Sequence, residues 1–219
     1  LHGRTWQPFK VDTVDGSELV FFKLLNDPYK ADQHGQTVTI DKYLSEQSGA
    51  IVEAIRDNKY TAIDAPTGSG KTTLCSLLPD LTGQKVVVAV PLKSIAIQQA
   101  KQNKYFAALH GSYKPEAVRR AAAAEVVFCT YDTLHQLLDL DQRLLIIDEA
   151  HELVNSFDYR GESDNRVLLL SQRARRVVFL SGTMPELLPV AFDAHLMRFK
   201  RKHSNKVRLW VTEADGRNT

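Results

Sequence analysis

Residues 65–72, reading APTGSGKT, gather two glycines, a lysine and a hydroxyl at a spacing that suits the capture of phosphate. Gly68 and Gly70 carry no Cβ, so the backbone can curl and turn successive N–H groups toward an anion. Lys71 brings an ammonium able to reach terminal phosphates, and the Thr72 hydroxyl is a ligand type for Mg²⁺. Pro66, Thr67, Ser69 and Thr73 complete the candidate lining. The stretch departs from the general G-x-x-x-x-G-K-[ST] pattern in one place, with Ala65 at the first glycine position.

A second constellation lies further on. Asp148 and Glu149 follow four aliphatic residues, 144–147. Two carboxylates side by side at the mouth of a buried strand are costly unless a cation is near. With a phosphate loop in the same chain, Asp148 is the candidate ligand for Mg²⁺ and Glu149 the candidate base for an attacking water. His151, two residues on, is placed to hydrogen-bond Ser181 or Thr183, which flank Gly182 after another apolar run.

The elements that must position these groups are readable from periodicity. Residues 60–64 are short and β-prone and 72–78 have helical composition, so the phosphate loop falls at a strand-to-helix turn with the positive end of the helix aimed at it. Upstream, 45–58 place Ile51, Val52 and Ile55 at helical spacing behind a Ser cap candidate. Gln47, near its start, can offer donor and acceptor together to an adenine edge. Downstream, strands are predicted at 85–90, 105–109, 126–129 and 144–147, with the last at 177–180. Helices are predicted at 94–102, 115–124 and 132–138. Such alternation gives an α/β fold, a doubly wound, mostly parallel sheet with helices on both faces. Ligands of such sheets lie beyond the carboxyl ends of the strands, where Asp148, Glu149, His151, Ser181 and Thr183 fall.

The chain ends divide off by composition. Residues 1–36 are an N-terminal extension whose two apolar runs flank Asp15-Gly16-Ser17, a hairpin signal, followed by a turn-rich linker. Residues 37–200 form the α/β domain, and 201–219 a basic linker. The chain opens at Leu1 instead of Met, as a piece of a longer protein would. With 43% hydrophobic and 25% charged residues a real core is expected. The net charge of +2 is too mild to argue for nucleic acid by itself. Cys75 and Cys129 lie in apolar runs, which favours packed thiols in a reducing, cytoplasmic setting over a disulfide. No apolar run reaches membrane-spanning length.

Taken in order, APTGSGKT, VPLKSIAIQQ, CTYDTL, LLIIDEAHEL and LSGTMP resemble the first RecA-like domain of superfamily 2 helicases of the DEAH type, over about residues 37–200. The resemblance implies an ATP- and Mg²⁺-dependent helicase domain in which Lys71 and Thr72 grip phosphate and metal, Asp148 holds Mg²⁺ and Glu149 is the base. It assigns Ser181, Gly182 and Thr183 to the motif that couples hydrolysis to movement, with Gly182 where many relatives have Ala. It places Pro91, Lys93, His110, Gly111, Thr130 and Tyr131 against the backbone of a single strand, DNA by expectation. It makes Gln47 the adenine-sensing residue, although the Arg often found just before that Gln is missing. A second RecA-like domain supplies arginine fingers in such proteins, and the thirty-six residues after Thr183 are too few for one. Two other readings stay open: a nucleotide-responsive interaction module without unwinding, and a duplex translocase of a restriction or replication system.

Overall fold

The structure, a computed structural model, describes residues 6–12, 18–24, 35–155 and 166–202. Two sheets are present. β1 (Trp6–Asp12) and β2 (Glu18–Leu24) pair antiparallel, from Trp6 opposite Leu24 to Asp12 opposite Glu18. The turn expected at residues 15–17 lies outside the described residues.

The second sheet has eight strands, and all of its pairings are parallel. In chain order they are β3 (Gly35–Ile40), β4 (Tyr60–Asp64), β5 (Val86–Val90), β6 (Phe106–Leu109), β7 (Val126–Thr130), β8 (Leu144–Asp148), β9 (Arg176–Ser181) and β10 (His195–Arg201). Across the sheet the order is β3-β10-β4-β9-β8-β5-β7-β6. Parallel strands need crossovers, and helices supply them. These are α1 (Ser48–Asp57), α2 (Lys71–Thr82), α3 (Lys93–Ala100), α4 (Pro115–Ala123), α5 (Glu152–Asn155), α6 (166–173) and α7 (Leu187–Ala191).

The apolar runs explain the layering. β5, β7 and β8 are buried at every position, so alternate residues must face opposite sides and both faces must be covered. One core contains Ile63, Val86, Val88, Ile146 and Leu180 with Ile51 and Ile55 of α1, Leu74 and Leu78 of α2 and Ala96 of α3. The other contains Ala62, Val87, Ile147 and Phe179 with Ala121 of α4, Leu153 of α5, Val167 of α6 and Leu188 of α7. Among the described residues no helix is long and apolar enough to cross a membrane. Cys75 and Cys129 are free and buried, and burial pushes the Cys129 thiol up to about 12.

Several sequence expectations are corrected. The strand at 177–180 is not the last: β10 follows and inserts between β3 and β4, so Arg201, the first residue of the predicted basic linker, belongs to the sheet. Its charges hid a strand in which Leu196, Met197 and Phe199 are buried. β3, unread in the sequence, begins at Gly35 and so crosses the boundary drawn at residue 36. The helix expected at 45–58 starts as a 3₁₀ turn (Leu44–Gln47) before α1, and Ser45 does not cap it. Glu46 does that work, its carboxylate accepting from the backbone N–H groups of Asp41, Lys42 and Tyr43 at 2.7–2.8 Å. α2 passes through Pro79 and ends at Gly83, whose φ of 67° supplies the left-handed cap. The helix expected at 132–138 is a 3₁₀ turn (Tyr131–Gln136).

Among the described residues Arg143 is the largest fully buried side chain. Its guanidinium donates to the carbonyls of Ala121, Ala122 and Ala124 at the end of α4 and pairs with Asp139 at 2.8 Å. The last carbonyls of a helix have no intrahelical N–H partner, and here Arg143 serves them together with Lys85 Nζ, which donates to Ala122 O at 2.9 Å, and Ala124 N, which donates to Ala121 O at 3.2 Å. Arg143→Ala should therefore cost about 3 kcal/mol in urea unfolding; a loss under about 0.5 kcal/mol would show that the carbonyls find other partners.

Candidate active site

β9 lies between β4 and β8, with Asp64 opposite Ser181 and Asp148 opposite Leu180. Two backbone bonds tie the loops that leave these strands: Ala65 N donates to Ser181 O at 2.9 Å, and Ala150 N to Leu180 O at 3.0 Å. The phosphate loop, residues 148–151 and residues 181–183 thus emerge side by side at one edge of the sheet.

In the loop, Gly68 and Gly70 have φ of 74° and 80°, the left-handed region that a Cβ disfavours. Close neighbours add a second reason for glycine. A Cβ on Gly70 would lie 3.3 Å from Cδ1 of Tyr43, and one on Gly68 would lie 3.2 Å from Nη2 of Arg201. Gly70 caps α2, so the free N–H groups of the first turn face the loop. The Lys71 ammonium rests on the carbonyls of Ala65 and Pro66 at 3.1 and 3.4 Å. The buried Ser69 Oγ has no hydrogen-bond partner among the described residues. A Cβ on Gly182 would meet Lys71 Nζ, Thr67 Oγ1 and Ala65 O at 3.5–3.6 Å, ordinary contact, so Gly182 brings this backbone against the ammonium. The 3₁₀ turn carrying Gln47 is anchored here too, because Leu44 N donates to Ser69 O at 2.9 Å. Gln47 itself is half-buried at the start of α1.

Opposite the lysine, Asp148 is 9% exposed. Burial, and then the neighbouring Glu149 carboxylate, push its pKa from an ordinary 3.8 up to about 6, against the pull of the Glu149 N–H, Lys71 and His151. A carboxylate in this position favours a cation beside it. Among the described residues no three of His, Cys, Asp or Glu gather as a metal cage. The donors at hand, the Thr72 hydroxyl and Asp148, instead suit a Mg²⁺ that keeps phosphate oxygens and waters as its other ligands. The left-handed glycines, the unpartnered Ser69 hydroxyl and the cation-seeking Asp148 all fit a magnesium nucleotide.

Glu149 is a non-glycine residue with φ of 52°. Its N–H is held by Asp148 Oδ1 at 3.0 Å. His151 turns Nδ1 toward Ser181 Oγ at 3.1 Å and Glu149 Oε2 at 3.3 Å, and Nε2 toward Glu152 Oε1 at 3.3 Å. Ser181 Oγ also accepts from Thr183 N at 3.1 Å, so one hydroxyl joins residues 148–151 to residues 181–183.

The six residues expected to meet nucleic acid divide. Half-buried Pro91 follows β5, exposed Lys93 opens α3, and half-buried His110 and exposed Gly111 follow β6. Burial, and then the charges of Lys93 and Lys114, lower the pKa of His110. Lys114 was not singled out in the sequence. Thr130 and Tyr131 are instead 7% and 3% exposed, so the expected phosphate contacts from their side chains are not offered. Thr130 Oγ1 pairs with Thr133 Oγ1 at 3.0 Å, and the Tyr131 hydroxyl donates to Asp148 O at 2.6 Å. Sequence reasoning also missed Asp64, which accepts from Met184 N at 3.4 Å and faces Arg198 at 3.8 Å. It missed Tyr43 and Arg201 against the loop as well; the basic run held the only sequence signal for Arg201.

A carboxyl group with a raised folded pKa binds its proton more tightly folded than unfolded. The stability this gives is present below about pH 4 and is lost as pH rises through about 6. Without ligand, Asp148→Asn should match the wild type near pH 4 and exceed it at pH 7.5 by on the order of 2 kcal/mol in urea unfolding. Parallel stability profiles for the two proteins across that range would contradict the placement of this carboxyl.

Comparison with known proteins agrees with the geometry. Putative helicase 7 of Sulfolobus islandicus filamentous virus (isolate Iceland/Hveragerdi) is 27% identical over 171 residues, 69% of this chain and 28% of that protein. A hypothetical ATP-dependent RNA helicase from Sulfolobus tokodaii has a similar fold, with a TM-score of 0.54 and 22% identity over 69% of this chain and 51% of that one. A DEAD box protein from the hyperthermophile Methanococcus jannaschii gives a TM-score of 0.51 and 22% identity over 67% and 47%. The chain therefore spans about half the length of these structures and under a third of the viral relative. Residues 45–189 match the family described as DEAD/DEAH box helicase, a span that includes the phosphate loop, Asp148, Glu149 and residues 181–183, and the chain belongs to that family.

Proposed function

We propose that this chain is the nucleotide-binding half of a DEAH-type, ATP- and Mg²⁺-dependent motor that moves along or unwinds nucleic acid. The observation that carries the reading is the convergence of Lys71, Asp148 and Glu149 at one edge of the sheet, on either side of residues 181–183. The chemistry a bound magnesium–ATP supplies is hydrolysis of its terminal phosphoanhydride.

The chain's own residues divide the work. N–H groups of residues 67–73 and the start of α2 hold phosphate oxygens, and the Lys71 ammonium exchanges the carbonyls of Ala65 and Pro66 for them. The Thr72 hydroxyl and the Asp148 carboxylate would hold Mg²⁺. Glu149 takes the proton of the attacking water. Gln47 reads the adenine edge. His151, Ser181 and Thr183 form a hydrogen-bonded unit across the cleft, so a change at the nucleotide is felt by the loop after β9. Lys93, Lys114, His110 and Gly111 offer charge and backbone N–H groups to the phosphates of a single strand without reading its bases, and DNA is the proposed track. A second RecA-like domain supplies the arginine fingers.

In the full-length protein, Glu149→Gln should leave magnesium–ATP affinity within about twofold and lower turnover about a thousandfold, measured by binding calorimetry and phosphate release. Unchanged turnover would remove Glu149 as the base. Strand displacement in the same preparation separates the unwinding motor from a duplex translocase, which would hydrolyse ATP without releasing a strand.

A further inference from the structure

The Tyr131 hydroxyl sits where two parts of the molecule meet. It donates to Asp148 O at 2.6 Å and lies 3.4 Å from Glu149 O. These are the carbonyls of the two peptides that flank Glu149, whose φ is 52°. A non-glycine residue in that region is strained and persists only where its surroundings fix it. Other bonds on the same turn are Glu149 N to Asp148 Oδ1, Glu152 N to Glu149 O at 2.9 Å, Leu153 N to Ala150 O at 3.2 Å, and Ala150 N to Leu180 O. Of these donors Tyr131 is the side chain, and it comes from the 3₁₀ turn after β7.

At its other end, Tyr131 opens the 3₁₀ turn that braces the loop after β6. Two residues on, Thr133 Oγ1 donates to Leu109 O at 2.8 Å, directly before His110. Gln136 Nε2 donates to Gly111 O at 3.3 Å. The turn Tyr131–Gln136 therefore holds both sides of the His110–Gly111 corner through side chains and holds the Asp148–Glu149 backbone through the phenol. A shift of that corner on meeting a phosphate strand would move the hydroxyl that fixes the Glu149 backbone.

We infer that Tyr131 is a positioning residue: through its hydroxyl it transmits the state of the His110–Gly111 corner to the backbone of Glu149, so that strand binding tunes the base. This rests on the reading of Glu149 as the base and of His110–Gly111 as a nucleic-acid contact. It replaces the direct phosphate contact expected of Tyr131 from the sequence, which its burial does not allow.

Tyr131→Phe in the full-length protein tests it, since the ring and its packing are kept and only the hydroxyl is lost. Amide hydrogen exchange at Glu149 and Ala150 should rise about tenfold, with β5 and β7 amides unchanged. Affinities for a non-hydrolysable magnesium–ATP analogue and for a single-stranded oligonucleotide, each measured alone, should stay within about twofold. The stimulation of hydrolysis by that oligonucleotide should fall at least about tenfold. Wild-type exchange together with wild-type stimulation would overturn the inference. So would a fall in both affinities together with exchange rising throughout the sheet, the pattern of an ordinary core residue. If the wild-type protein binds no magnesium nucleotide, the motor reading fails and takes the proposed tuning with it, while the exchange result still decides whether the hydroxyl holds this backbone.

Discussion

Everything at this site depends on three parallel strands ending in step. With β9 between β4 and β8, and Asp64 opposite Ser181 and Asp148 opposite Leu180, the chain leaves the sheet three times at one edge and within one strand's width on either side. Parallel pairing is possible only because crossovers return the chain to the same end each time. Residues 65–72 and 148–151 are far apart in sequence, and β9 is the physical reason they share a wall. Its last residues hydrogen-bond to both, Ser181 O receiving Ala65 N and Leu180 O receiving Ala150 N.

That geometry creates an electrostatic imbalance that the protein alone does not resolve. Asp148 is buried beside Glu149, and Lys71, whose charge pulls the other way, is engaged by carbonyls of its own loop. The Gly70 cap leaves N–H groups of α2 facing the same space, and Ser69 keeps an unpartnered hydroxyl there. In the proposed reading a polyanion with a divalent cation would satisfy both sides at once: the amides and ammonium would take the anion, and the carboxylate the metal. The strain at Glu149 belongs to the same design, since backbone held in a sparsely populated region needs support from several directions.

How much of this was legible in the sequence follows from what each element depends on. The strands 85–90, 126–129, 144–147 and 177–180 were readable because their apolar runs report burial on both faces, and β5, β7, β8 and β9 lie where those runs fall. The phosphate loop and the acidic pair were readable because their residue types have few other uses in that order. β10 was not, because its apolar residues are interleaved with His195, Arg198, Lys200 and Arg201, a composition that reads as solvated until a neighbour covers it. α2 runs past the 72–78 of helical composition and through Pro79, because a proline late in a helix forfeits little when the last turn is closed by Thr82 and Gly83. Tyr131 was misread because its position in the motif is compatible with a surface contact. Only the fold shows that the 3₁₀ turn directs the phenol inward, onto Asp148.

The central claim is that Lys71, Thr72 and Asp148 enclose one metal–nucleotide complex. Crystals soaked with manganese and a non-hydrolysable ATP analogue test it most directly, because the metal is located by its own anomalous signal. The account expects a single manganese peak between Thr72 Oγ1 and the Asp148 carboxylate, with the terminal phosphate against Lys71 Nζ. Manganese bound elsewhere, or a nucleotide whose phosphates lie away from the loop at residues 65–72, would contradict it.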